Sequence, residues 1–223
     1  MCEFCGQTLL MQWSLNQFMR FQKIMPTYIC QTCRDQFSRI VGETCQECGK
    51  KCQDQYCMDC QNWLSAGFPP LQNQALYEYN DAMKEFFKRY KFQGGYHLKT
   101  IFQTEIEQQL QIISPDLIIP IPITLETQAI RCFNQVSAWL EKCVINEVLT
   151  CVAETKQVQS TKTRQQRLTT SQPFKVIDPE CTFENKTICL VDDVYTTGRT
   201  LRHAAACLFE RGATHVQSLT LAR

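Results

Sequence analysis

The chain reads ICLVDDVYTTGRTL over residues 188–201, where four apolar residues deliver two adjacent carboxylates, Asp192 and Asp193, into a loop of small hydroxylated residues and one glycine. Such a loop suits an anion. Hydroxyls from Thr196, Thr197 and Thr200, successive backbone N–H groups and the positive end of a helix dipole can converge on one phosphate. Gly198 lets the backbone approach closely. The two carboxylates would repel a phosphate laid on them, but they accept hydrogen bonds from a pair of vicinal hydroxyls. A five-carbon sugar phosphate meets both demands, with its phosphate in the loop and its diol on the acids. A strand ending in two aspartates also occurs in magnesium-binding ATPases, yet no G-x-x-x-x-G-K-[ST] loop is present, and the G-x-G-x-x-G of a dinucleotide fold is absent too. An ordinary strand, turn and capped helix is the plain alternative.

A second chemistry lies in the cysteines. Of fifteen in the chain, eight form four C-x-x-C turns, Cys2/Cys5, Cys30/Cys33, Cys45/Cys48 and Cys57/Cys60. One tetrahedral zinc ion takes four thiolates and one C-x-x-C turn supplies two, so four turns make two closed, structural sites with no open position for a catalytic water. Gly6 and Gly49 follow the second cysteine of two turns, and each glycine-bearing turn is expected to pair with the next plain one. That assigns Cys2, Cys5, Cys30 and Cys33 to one site and Cys45, Cys48, Cys57 and Cys60 to the other. Interleaved pairing stays open, as do redox-active or disulfide readings. Cys52 is left over. Six Lys/Arg balance six Asp/Glu over residues 1–66, so eight thiolates on two Zn²⁺ leave the segment formally at −4. That is a poor charge for a generic DNA clamp. Trp13, Phe18, Phe21, Tyr28 and Trp63 could stack on bases or cover a small core.

The elements that must position these groups follow from the rest of the chain. Its 223 residues suffice for one substantial core and a small satellite domain. A net charge of +1 makes any anion binding local. No apolar run approaches a membrane span and no secretory signal is evident, so a cytoplasmic protein is expected. SAGFPPLQNQ, residues 65–74, reads as a linker, dividing a metal-binding domain at 1–66 from a second domain at 67–223. In the second domain Met83, Phe86, Phe87 and Tyr90 recur at helical spacing after an Asn80/Asp81 cap and before Gly94-Gly95, and a further helix is expected at about 97–112. PDLIIPIPI reads as a strand, ETQAIRCFNQVSAWLEKC as one helix, and EVLTCVAET and KTICLVDD as strands. A helix near 199–211 and the strand HVQSLTLA complete the set. Alternating strands and helices argue for an α/β fold with a parallel sheet covered on both faces, where ligands bind beyond the carboxyl ends of the strands. His97, His203 and His215 are scattered and read as structural or surface residues.

The 188–201 stretch resembles the phosphoribosyl-pyrophosphate (PRPP) signature of type I phosphoribosyltransferases. With four C-x-x-C turns ahead of it and IIPIPI followed by RCFNQ, nearly the whole chain resembles the ComF family of late competence proteins. The resemblance implies a small N-terminal double zinc ribbon joined to a Rossmann-like phosphoribosyltransferase domain. It implies a role in natural transformation, in the uptake or processing of incoming single-stranded DNA beside a DNA helicase/translocase of the ComFA type. The location implied is the cytoplasm, at the membrane's cytoplasmic face through the uptake machinery. Position by position it gives Asp192 and Asp193 the ribose hydroxyls and the stabilisation of positive charge on the ribose. Tyr195, Thr196, Thr197, Gly198, Arg199 and Thr200 take the 5′-phosphate, and Ile121, Pro122, Ile123 and Thr124 fall at the pyrophosphate loop. Arg131 and Asn134-Gln135 keep part of the family's R-G-F-N-Q, whereas its glycine and the basic residues usual before it are missing here. ETKQVQSTKTRQQR, residues 154–167, matches the mobile hood, where Lys156, Lys162, Arg164 and Arg167 would close on pyrophosphate; a solvated basic loop is the alternative.

Two functions follow from the resemblance. A phosphoribosyltransferase of nucleotide metabolism, with Mg²⁺ on PRPP stabilising the departing pyrophosphate, would serve an unknown acceptor. A binding module of the uptake machinery would recognise PRPP or a related sugar phosphate without turnover, while the zinc ribbon meets the helicase or single-stranded DNA.

Overall fold

In the computed structural model, residues 1–9, 27–152 and 172–223 are described. Lys156, Lys162, Arg164 and Arg167, together with Trp13, Phe18 and Phe21, lie outside them.

Among the described residues a four-stranded parallel sheet runs in the order β1 (Gln72–Tyr77), β6 (His215–Ala222), β5 (Thr187–Val194), β2 (Leu117–Pro120). Ile188 to Val191 of β5 are all buried, as expected of a strand covered on both faces. Alternation along β5 separates two cores. Cys189 and Val191 face one, with α3 (Asp81–Phe92), α4 (Thr100–Ile113) and α6 (Gln135–Trp139). Ile188 and Leu190 face the other, with α7 (Arg199–Phe209) and a small antiparallel pair, β3 (Leu149–Cys151) with β4 (Phe174–Val176).

α3 forms as its sequence dictates: Asn80 Oδ1 accepts from the Met83 N–H at 3.0 Å, and Met83, Phe86, Phe87 and Tyr90 are buried. Three expectations need correction. The segment taken as a linker through residue 74 already contains β1, because Asn73 is buried and bonded to Thr220 Oγ1 (3.1 Å) and Ser218 Oγ (2.9 Å). The single helix expected over 126–143 is two, α5 (Leu125–Arg131) and α6, separated at Cys132 with φ 64. Asn134 ends the continuity because its side chain caps α6, accepting from the Val136 N–H at 2.9 Å. Among its described residues, 147–152, EVLTCVAET supplies β3, and this strand stands outside the parallel sheet.

Residue 66, after which a boundary is expected, follows directly on α2 (Met58–Ser65), which with α1 (Gln31–Arg34) lies among the described residues of the cysteine-rich part. The two C-x-x-C groups are not a free arm, however. Cys2 and Cys33 belong to the α3/α4 core, where Phe37 packs edge-on against Phe4, Phe86 and Phe102 at 5.1–6.4 Å. Cys45, Cys48, Cys57 and Cys60 belong to the opposite core with Leu71 and Leu201. Between them, residues 38–40 run antiparallel along the outer edge of β1, with Ile40 N–H on Leu76 O (3.0 Å) and Glu78 N–H on Ser38 O (2.8 Å). The crossing covers an otherwise unpaired sheet edge.

Candidate sugar-phosphate site and metal centres

Eight thiols gather as expected, Cys2/Cys5/Cys30/Cys33 and Cys45/Cys48/Cys57/Cys60, with all sulfurs of a set within 4.8 Å of one another. The interleaved pairing is excluded. Cys5 and Cys30 sulfurs lie 3.7 Å apart, as do Cys48 and Cys57. Four sulfurs about 2.3 Å from a tetrahedral zinc ion would be separated by about 3.8 Å, so the donor set fits that metal in number, type and spacing. Gly6 (φ 74) and Gly49 (φ 70) form the tight turns that each direct an N–H back to the first cysteine's carbonyl, at 2.8 and 3.0 Å. Burial raises the Cys2 and Cys45 thiols, but backbone N–H donors led by Cys30 and Cys57 outweigh it, bringing them down to about 6 and about 7. Burial and the neighbouring sulfurs push Cys33 and Cys60 of the same sets upward, so a metal has to displace protons to complete each set of thiolates. Cys52 packs beside the second set and is not part of it.

At the carboxyl end of β5, Asp193 is buried and one of its oxygens is already partnered. Oδ2 receives Gln135 Nε2 at 2.7 Å and Lys91 Nζ at 2.6 Å. Gln135 is fixed in turn, its Oε1 by Arg131 at 3.0 Å and its carbonyl by the Tyr90 hydroxyl at 2.8 Å. Asp192 accepts the Asp193 N–H at 2.8 Å and is partly exposed. Loss of hydration around its carboxyl group and the neighbouring Asp193 charge push its pKa up to about 8, although part of the residue still faces solvent. Gln135 therefore reaches Asp193 itself, and Arg131 bears on that acid through Gln135. Lys91 escaped the sequence reading. Its signal was position: it lies four residues beyond Phe87 on the buried face of α3, where a lysine needs a partner.

The loop that follows presents Thr196, Thr197 and Thr200 to solvent. Gly198, φ 79, is the N-cap residue of α7 and offers no side chain to its first turn. A Cβ at that position would fall 2.1 Å from Tyr195 Oη, so the close packing of Tyr195 under the loop requires glycine. Tyr195 is itself buried, its ring lying under Gly198, and its backbone is engaged elsewhere, N–H on Ala222 O at 2.9 Å and carbonyl under Arg223 Nη1 at 3.3 Å. Arg199 N–H leans on Thr197 Oγ1 at 3.4 Å. At the end of β2, Ile121 is buried and pairs through its backbone, N–H on Val191 O at 2.9 Å and carbonyl under Asn134 Nδ2 at 3.0 Å. Pro122 and Ile123 are half-buried, and Thr124 caps α5 by accepting from the Thr127 N–H at 3.1 Å. His203 is buried edge-on to Phe68, with its pKa lowered by burial and by nearby Arg199, while His97 and His215 are exposed.

A profile of the phosphoribosyl transferase domain matches residues 98–223. Along 222 residues the chain is 32% identical to Competence protein ComFC of Streptococcus pneumoniae (strain ATCC BAA-255 / R6), covering 100% of this chain and 99% of that protein. Competence protein ComFC of Bacillus subtilis (strain 168) is 33% identical over 210 residues, 87% of this chain and 84% of that one. Competence protein F of Haemophilus influenzae (strain ATCC 51907 / DSM 11121 / KW20 / Rd) is 25% identical over 209 residues, 87% of this chain and 90% of its counterpart.

Proposed function

The chain belongs to the ComFC family of competence proteins and carries a phosphoribosyl transferase domain, and on that premise we propose that it binds PRPP with Mg²⁺ at the end of β5 and uses that site in handling incoming single-stranded DNA. The observation that carries the reading is the juxtaposition of Asp192 and Asp193 with the exposed Thr196, Thr197 and Thr200 at the start of α7. Each half answers one half of the ligand. Threonine hydroxyls and α7 N–H groups hold the 5′-phosphate, and the carboxylates take the ribose 2′- and 3′-hydroxyls. Asp192 suits this role because it is partly exposed at the carboxyl end of β5. Mg²⁺ arrives on the pyrophosphate and supplies charge neutralisation there. Backbone groups around Ile121, Pro122 and Ile123 line the approach expected for pyrophosphate, and Lys156, Arg164 and Arg167 are its further candidates.

Two zinc ions are structural in this reading, because eight thiolates fill both coordination shells. The partner is a competence helicase/translocase of the ComFA type, met on the cytoplasmic face of the uptake machinery. No helix among the described residues is long and apolar enough to cross a membrane. Contact with the helicase has to be tested on the whole chain, since the cysteine-rich part packs into both cores.

Transformation frequency decides whether the site serves competence. Cells carrying Asp192→Asn/Asp193→Asn at normal protein levels should lose transformation; an undiminished frequency would detach the site from that role.

A further inference from the structure

Arg223 follows β6 and its guanidinium lies between two features that the sequence keeps far apart. Nη2 is 3.3 Å from the Cys48 sulfur and 4.0 Å from Asp59 Oδ2, within the second cysteine set. Nη1 donates to the carbonyls of Thr196 at 2.6 Å and Tyr195 at 3.3 Å, within the sugar-phosphate loop. The same group sits 4.8 Å from the centre of the Tyr195 ring, the ring on which Gly198 packs. Two more ties run in parallel. Trp63, three residues after Cys60, donates Nε1–H to Thr197 O at 2.8 Å. Arg202 of α7, fully buried, donates to Glu47 Oε2 at 2.7 Å and lies 3.9 Å from the Cys60 sulfur.

The charges explain why arginines are there. Four thiolates on Zn²⁺ carry a formal −2, and the second set is buried at all four positions. A buried dianion needs cationic hydrogen-bond partners, which Arg202 and Arg223 supply. Among the described residues no arginine hydrogen bond to a sulfur of the first set is found. Without a metal the four sulfurs are no longer tied into one cluster, Arg223 Nη2 loses a fixed acceptor at Cys48, and the donor that Nη1 offers to the carbonyls of Tyr195 and Thr196 is no longer held in place.

We propose that Arg223 is a positioning residue that couples metal occupancy of the second cysteine cluster to the geometry of the sugar-phosphate loop. The inference rests on reading residues 196–200 as a phosphate-binding loop. Because coupling is reciprocal, a ligand on the loop tightens the metal at the second cluster.

The test compares full-length, two-zinc wild type with Arg223→Met, and with Arg223→Lys, which keeps one cation but can satisfy only one end. Amide hydrogen exchange at 195–200 should quicken about 10-fold or more in both variants at unchanged zinc content, the size expected for losing a charge-assisted hydrogen bond. Mg²⁺–PRPP should slow the transfer of one of two zinc ions to a chelating dye in wild type and should not do so in either variant. Wild-type exchange at 195–200 in a two-zinc variant would overturn the coupling. If Arg223→Met fails to fold, the exchange rate of Arg223→Lys decides between the two outcomes. If wild type ignores PRPP, the ligand assignment fails, and the exchange comparison still decides the role of Arg223.

Discussion

Lys91 Nζ lies 2.6 Å from Asp193 Oδ2, joining the last turn of α3 to the carboxyl end of β5 with both side chains largely shielded from water. Without Lys91 the Asp193 carboxylate stays buried, with Gln135 Nε2 donating to it and Asp192 next to it. Lys91→Met should therefore destabilise the fold by about 2–3 kcal/mol, somewhat less than a fully enclosed pair because each group keeps some solvent contact. Urea denaturation reads this directly. In a double-mutant cycle, Lys91→Met/Asp193→Asn should lose less than the sum of the single changes. Additive losses would mean that the pair does not interact energetically.

Asp192 makes stability depend on pH in the opposite sense from an ordinary ion-paired carboxylate. Its folded pKa is raised to about 8 by burial and by Asp193, against about 3.9 in an unfolded chain. Between those values the folded state binds more protons than the unfolded one, so this residue's contribution falls as pH rises through that window and levels off above it. Asp192→Asn should then raise the melting temperature relative to wild type at pH 8 and change it little at pH 4. An equal shift at both values would contradict the assignment.

Gly198→Ala combines a left-handed backbone with a Cβ 2.1 Å from Tyr195 Oη. Gly42→Ala is the matched comparison, since φ is 88 there and nothing lies within 4 Å of the added atom. Backbone strain alone should cost Gly42→Ala about 1–2 kcal/mol. Gly198→Ala should cost more and should displace the loop. Equal melting temperatures for the two variants would argue against the close Tyr195 packing.

Zinc stripping should unfold more than residues 1–66, because the two cysteine sets are built into cores on opposite faces of the sheet. Far-ultraviolet circular dichroism of chelated protein should lose helix signal from α3 and α7 along with the ribbons. A second domain that keeps its melting transition after loss of two zinc ions per chain would refute that integration.

Local chemistry was legible in the sequence, and long-range pairing was not. C-x-x-C spacing and the following glycines fix ligand turns within a few residues, so both cysteine sets could be assigned. α3 was equally plain, with its asparagine cap and four apolar residues on one face. β1 was hidden because Gln72, Asn73 and Gln74 look like linker, and only Thr220 and Ser218, more than 140 positions later, make Asn73 a buried strand residue. The break at Cys132 was missed because helical periodicity continues through FNQ while Asn134 caps instead of continuing. Lys91 and Arg223 act on groups 102 and 27 positions away, at Asp193 and Thr196, which no periodicity connects.

Calorimetric titration of the two-zinc protein with PRPP, with and without Mg²⁺, beside Asp192→Asn/Asp193→Asn, tests the central claim most directly. Saturable binding that requires Mg²⁺ and is lost in the double variant is the predicted result. Absence of binding by wild type, or equal binding by the folded variant, would contradict a sugar-phosphate site at the end of β5.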